Sequence, residues 1–345
     1  MRSAGLDPSF NREARGRRFP DVSRRLGAAL AVTMALLQIG CGPAVPAMTS
    51  SRSPEPTPAV ASIGPTASTP FAISVTDDEG ATVAIGATPQ RIVSLTPGAT
   101  ETLFALGAGD RVVATDSASD YPSVAAGLPD VAAFGSVDVE AIVGLEADLV
   151  VAGGNGYTPP ESVARLRSLG IPVVVIYAAG VAAVPDDVEL VAEAVGLATK
   201  GRDLAAAMRA DIEALAGAAS GMPRPRTFYE VDATNEIYGP AAASFLAEMV
   251  ELAGGAPVTS GSGDSFEISL ERLIAADPEV IVLGDAAFGT TADLVAERPG
   301  WAVMTAVREG AVRVADDKLI TRPGPRLAQG LRSLILAIHP DALLP

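Results

Sequence analysis

The sequence predicts a two-lobed α/β protein: two mainly parallel sheets covered by helices and joined by one long helix. Three observations carry this. Short, mostly apolar runs, such as those at 92–95, 149–152 and 171–177, alternate with amphipathic runs, and apolar strands set between helices mark a parallel sheet buried on both faces. The stretch VDVEAIVGLEADLVVAGG at 137–154 is echoed by ISLERLIAADPEVIVLGD at 268–285, at a constant offset of 131. Glu140 meets Glu271, Asp148 meets Glu279, and Val150-Val151 meet Ile281-Val282; similarity at a fixed distance points to two units of one construction. Between the units, residues 185–219 read as helical nearly throughout.

Taken in order, the chain opens with a basic flank (Arg24-Arg25), an apolar run of about fifteen residues and then Cys41. That pattern reads as a secretory signal over 1–40, too short for a spanning helix. Residues 41–70 are Pro, Ser, Thr and Ala with almost no large apolar side chain, a composition that predicts an extended tether. Folding is expected from Phe71, with a hairpin turning at Asp78-Glu79-Gly80. The stretch RIVSLTPGATETLFALG then reads as strand, tight turn and helix, with Glu101 in the first helical turn. It lacks the G-x-x-x-x-G-K-[ST] pattern and the lysine of a phosphate loop. Further strand and helix signals follow to 197, giving a first lobe over 71–197. A connecting helix is placed at 198–222, with breaks expected at Gly196 and Gly201. The second lobe is placed at 223–345, its first strand in TFYEVDA.

Composition narrows the function. The formal net charge is −16. Residues 1–40 hold seven Arg against three acids, or +4, which leaves −20 for the rest. Nucleic acid, whose phosphates need Lys and Arg, is excluded as a partner. One Cys and one His allow neither an internal disulfide nor a Cys/His metal cluster. His339, in IHPD near the C-terminus, is a helix-end residue rather than a catalytic base, and there is no G-x-S-x-G elbow. The rival enzymatic reading, a two-lobed hydrolase or lyase, would have to use cleft carboxylates such as Asp232 or Asp285.

The segments PQRIVSLTPGATETLFALG, SDYP at 119–122, VEAIVGLEADLVV, SLERLIAADPEVIVLGD, RPGW at 298–301, AVREGAVRVADD and RPGPRLAQGL occur together and in order. In them the chain resembles the helical-backbone (class III) substrate-binding proteins of ABC importers for cobalamin, ferric siderophores and haem, from about Phe71 to Pro340. The resemblance implies two Rossmann-like lobes on a stiff helix, a metal chelate bound between them, no cofactor or metal site of the protein's own, and no enzymatic activity. It implies a monomer working with a permease and its ATPase. Separately, Ile39-Gly40-Cys41 resemble a bacterial lipobox, with Gln38 where Leu is usual, so Cys41 is expected to carry a membrane-anchoring lipid, with a chance cysteine after an ordinary signal as the alternative.

Candidate residues follow. Thr96 and Pro97 would line the cleft, with a plain structural turn as the alternative. Glu140 and Glu271 suit the dipole at the start of their helices; the resemblance implies that they dock onto the permease. Arg322 matches a cleft-facing position, whereas Arg326 is expected to cap or brace the following helix. Asp285 ends a strand and would reach the cleft. Tyr121, Phe134, Tyr157, Tyr238 and Phe266 fall in loops or at strand ends, where large rings hold flat ligands. Phe134 and Phe266 stand where cobalamin-binding members carry Trp, and Ala118 where some carry Tyr. A haem receptor is a further alternative, with Tyr157 or Tyr238 as the axial group. Trp301 is expected to be a packing anchor.

Overall fold

The computed structural model describes residues 72–345, which belong to one compact unit. The signal segment, Cys41 and the tether at 41–70 lie outside the described residues.

An antiparallel hairpin, β1 (Ile73–Thr76) and β2 (Thr82–Ile85), comes first. Its turn is held by Asp77, whose carboxylate accepts from the backbone N–H groups of Ala81 and Val175 and from Arg167 at 2.6 Å. The first lobe contains β3 (Ile92–Ser94), α1 (Pro97–Ala105), β4 (Val112–Asp116), β5 (Asp130–Ala133), β6 (Ser136–Val137), α2 (Val139–Gly144), β7 (Leu149–Gly153), α3 (Pro160–Ser168) and β8 (Val173–Ile176). Then come α4 (Val184–Ala194) and the 22-residue α5 (Ala198–Ala219). The second lobe contains β9 (Arg226–Glu230), α6 (Phe245–Leu252), β10 (Ala256–Pro257), α7 (Leu270–Ala276), β11 (Val280–Leu283), α8 (Ala292–Glu297), α9 (Thr305–Arg308), β12 (Val312–Val314), α10 (Asp317–Ile320) and α11 (Leu327–Ile338).

The strand orders are β6-β5-β4-β3-β7-β8 and β10-β9-β11-β12, parallel throughout except for β5 with β6. The second lobe therefore repeats the β4-β3-β7-β8 core of the first and lacks the β5–β6 extension. The sequence echo has a physical counterpart. Asp148, at the start of β7, accepts the backbone N–H groups of Gln90 and Arg91, which precede β3. Glu279, at the start of β11, accepts the N–H of Arg226, where β9 begins. Arg91 Nε reaches Leu145 O at 2.6 Å, and Arg226 Nε reaches Ala276 O at 3.0 Å. In each lobe an acid fixes the start of one strand to its neighbour, and an Arg closes the end of the preceding helix. Strands β7, β8 and β11 are buried along their whole length, which is why they read as unbroken apolar runs.

Gly196 ends α4, as expected, but Gly201 does not break α5. A methyl group placed on Gly201 would lie 2.3 Å from the Ala192 Cβ. The glycine is there for close approach of α4 and α5, and tertiary packing overrides its weak helix propensity. The buried residues of α5, Gly201, Ala205, Met208, Leu215 and Ala219, form one stripe. At 1.5 Å per residue the helix spans about 33 Å. Met208, Leu215 and Ala219 share a core cluster with Val181, Val184 and Val188 from the first lobe's last segment and with Tyr229, Leu331 and Leu334 from the second lobe. The lobes are thus joined through packed apolar side chains, not a free linker.

At this junction Asp187, only 8% exposed, faces Asp78 of the hairpin turn. Burial first, then the Asp78 and Asp186 carboxylates, push its carboxyl up to about 8. The folded state then holds a proton that an unfolded Asp releases near pH 4. Resistance to urea should therefore fall as pH rises from about 4 through 8, and Asp187→Asn should flatten that slope; an unchanged slope in the variant would mean that Asp187 is not the group responsible.

Candidate functional site

In both lobes the loops after the C-terminal strand ends carry most of the predicted ligand-binding residues, as open parallel sheets favour. The turn after β3 is built by Thr96, whose Oγ1 caps α1 by accepting from Ala99 N at 3.2 Å, and by Pro97 at the first helical position. Gly98 then meets the other lobe. A methyl group there would sit 2.0 Å from Pro323 O, so only glycine allows the two backbones to touch. The turn faces the Arg322-Pro323-Gly324 loop between α10 and α11.

Charge seals this contact. Glu101 falls one residue beyond the first turn of α1, and its carboxylate is 4% exposed. Arg326 donates Nε and Nη2 to its two oxygens at 2.8 and 2.5 Å, and Arg322 Nη1 lies 3.6 Å away. The Arg326 guanidinium also stacks on the Tyr121 ring, 3.8 Å from its centroid. Arg326 stands at the N-cap position of α11 but makes no capping hydrogen bond, because a guanidinium has no acceptor for the free N–H groups there; it reaches across the junction to pair the buried Glu101 carboxylate instead. Arg322 donates to Asp120 at 2.7 Å and to Ala118 O at 3.0 Å, while Lys318 pairs with the other Asp120 oxygen. Burial raises the Asp120 carboxyl, but hydrogen bonds and charge from Lys318 and Arg322 outweigh it and bring it down to about 2.

Beneath the first-lobe loops runs a polar chain. Thr100 Oγ1 donates to Ser94 Oγ and lies 2.8 Å from Ser119 Oγ, and Ser119 donates to Asp116. Tyr157 donates its hydroxyl to Asp116 at 3.3 Å. Burial raises the pKa of Asp116 against these hydrogen bonds, and burial together with the Asp116 charge raises that of Tyr157. The phenol is thereby kept protonated and fixed.

The predicted rings fall into groups. Phe134, 80% exposed at the tip between β5 and β6, packs edge-to-face on Tyr157 with centroids 5.6 Å apart. Tyr238 and Phe266 lie on neighbouring segments at the end of β9, joined by the Tyr238–Glu267 bridge and the Gly239 N to Phe266 O hydrogen bond. Tyr121 belongs to the charged junction instead. Asp285 does not reach out as an exposed group: it is buried, and its Oδ2 accepts from Thr290 at 2.6 Å, which orders the loop after β11. That loop carries Phe288, 90% exposed. Beside it the buried Glu230 is held bidentately by Arg298, which stacks 4.6 Å from the centroid of Trp301. Trp301 is the expected packing anchor. Two grooves along the β10 edge, of about 790 and 430 Å³, are lined by none of the predicted site residues.

The sequence profile of a family described as periplasmic binding protein matches residues 92–319, well over half of the chain. The chain belongs to the periplasmic binding protein family. Members are binding proteins, not enzymes, which retires the hydrolase or lyase alternative; Asp232 accordingly spends its carboxylate on the hydroxyl and N–H of Thr234. An uncharacterized ABC transporter substrate-binding lipoprotein of Bacillus subtilis, YvrC, is 29% identical over 79% of this chain and 87% of its own. The haem-binding protein RhuT of Roseiflexus, in apo form, superposes with a TM-score of 0.67 at 29% identity, covering 74% of this chain and 99% of that one. The vitamin B12-binding protein BtuF of Vibrio cholerae superposes with a TM-score of 0.64 at 26% identity, covering 73% and 97%.

Within this binding protein, Glu140 and Glu271 are exposed in the first turns of α2 and α7, behind the N-caps Asp138 and Ser269. The sequence reading missed Asp120, Lys318 and Phe288, and did not connect Glu101 to the other lobe. A signal for Lys318 was present, since the chain has only two lysines. Truncating Arg326 to Ala should lower the unfolding free energy by about 3 kcal/mol, because Glu101 would remain buried without its partner. Glu101→Gln combined with Arg326→Met should recover most of that loss in urea titration; equal losses in both variants would mean that the pair does not hold the lobes.

Proposed function

We propose that this protein is an extracytoplasmic receptor that captures a cobalamin-type corrinoid or a ferric siderophore between its lobes and delivers it to an ABC permease. One observation carries the reading. Large rings stand in strand-end loops of both lobes, Phe134 packed edge-to-face on Tyr157 in the first and Tyr238 and Phe266 in the second, with Phe134, Tyr238 and Phe266 exposed, and such rings suit a bulky chelate with apolar faces. Thr96 and Pro97 would form the floor, and Arg322 would supply the cation at the wall. The names of YvrC and BtuF support the same reading. For haem, a tyrosinate axial ligand must lose its proton, and the hydrogen bond from Tyr157 to Asp116 works against that, which leaves Tyr238 as the axial group of that weaker alternative.

The receptor would be a monomer anchored through Cys41, with residues 42–70 as the spacer. Glu140 and Glu271, one on each lobe, would register it on cationic residues of the permease, setting encounter and orientation more than affinity. Calorimetric titration with cyanocobalamin, a ferric-siderophore panel and haem should give one-to-one binding of a chelate that is recovered unchanged. Phe134→Ala should weaken that binding by roughly tenfold, the loss of about 1.4 kcal/mol of ring contact. Silence across all three ligand classes would sink the proposal. Glu140→Ala with Glu271→Ala should abolish uptake in cells while leaving the calorimetric affinity unchanged; a lost affinity would place these residues in the cleft instead.

A further inference from the structure

The charged junction has two tiers. The inner one, Glu101 with Arg326, is buried, bidentate and stacked on Tyr121. The outer one, Asp120 with Lys318 and Arg322, stands at the water-facing side, where Asp120 and Lys318 are both half-exposed. A buried pair that loses one member is strongly destabilised, whereas an exposed pair contributes only about 0–1 kcal/mol and is readily exchanged. Arg322 does not depend on Asp120 for its place, because Ala118 O and Glu101 hold the same guanidinium. Of the neighbouring acids, Asp316 accepts the backbone N–H of Lys318 and Asp317 takes the hydroxyls of Tyr229 and Thr321, so neither is hydrogen-bonded to the two cationic side chains, and Asp317 acts on Arg322 only through its charge.

We infer that Asp120 is a place-holder on Lys318 and Arg322 for an acidic group of the ligand, so that this cleft selects an anionic chelate. The inference rests on the receptor reading and sharpens it, favouring an anionic ferric chelate over a neutral corrinoid. A guanidinium and an ammonium meeting on one carboxylate can receive a carboxylate or catecholate oxygen in the same geometry. They are also needed. With −20 over the residues after 40, the long-range field repels an anion, and only local cations can hold one. The exchange moves no covalent bond: one carboxylate leaves for water as another oxygen anion takes its donors.

The test titrates the full chain and its Asp120→Asn, Lys318→Ala and Glu101→Gln variants with a ferric tris-catecholate, a ferric trihydroxamate and cyanocobalamin. Removing the competing carboxylate should tighten tris-catecholate binding about fivefold, the equivalent of one exposed ion pair, and leave the other two ligands unchanged. Lys318→Ala should weaken the tris-catecholate alone, and its binding should fall with added salt. Glu101→Gln breaks the inner tier but also removes a carboxylate 3.6 Å from Arg322, so its effect on the lobe junction is read from cyanocobalamin, which carries no net charge. If Asp120→Asn fails to gain affinity for the anionic chelate, or shifts all ligands alike, the place-holder inference is overturned. Binding of any chelate by the unmodified chain would then still uphold the receptor reading, whereas no binding by any form would overturn both.

Discussion

A carboxylate removed from water between two lobes sets the terms for everything around it. Glu101 sits on the first main helix of one lobe, and its partner Arg326 begins the last helix of the other. For the pair to form, two backbones must approach within contact, which Gly98 permits against Pro323. Tyr121 then covers the guanidinium. A buried ion pair of this kind adds little stability over an apolar pair of the same size, but it tolerates no slip: a small shift of either helix would strand a charge. The separation and rotation of the lobes are therefore fixed where the turn after β3 meets the Arg322-Pro323-Gly324 loop.

Around that fixed point the site grades outward from ionic to apolar. Beneath the strand-end loops, polar side chains are paired through Ser94, Thr100, Ser119, Asp116 and Tyr157 in one lobe and Glu230 with Arg298 in the other, while Thr115 Oγ1 and Asp285 Oδ1 are buried without a partner. Large rings stand free at the edges. This division suits a binding protein. Satisfied polar networks hold a surface rigid, and exposed rings on that surface gain most when a ligand covers them. Asp285 illustrates the difference between lining a site and supporting it: its side chain is buried, and its effect is on the loop that presents Phe288.

The fold was legible because it is written in local patterns. Buried parallel strands are uniformly apolar, the helix starts are marked by Asp138 and Ser269, and the repeated acids Asp148 and Glu279 do the same work in both lobes. Gly201 was misread because its reason is a neighbouring helix, Ala192, and not its own segment. The site was legible in part. Position after a strand identifies Thr96, Tyr157 and Phe134 as strand-end loop residues. Pairing across the junction cannot be read the same way, since Glu101 and Arg326 are 225 residues apart and nothing local distinguishes either from a surface charge. Arg326 was accordingly assigned to its own helix, and Asp120 passed as one more acid in an acidic chain.

The apolar seam along α5 also bears on how the polypeptide can be divided. Val181, Val184 and Val188 precede the long helix in sequence, yet they pack with Tyr229, Leu331 and Leu334 beyond it. A cut at the apparent boundary near residue 197 would strip those valines of their neighbours and leave the second half with an open hydrophobic trough. Limited proteolysis or separate expression of the halves would thus yield sticky fragments, and the smallest autonomous piece of this molecule is both lobes together.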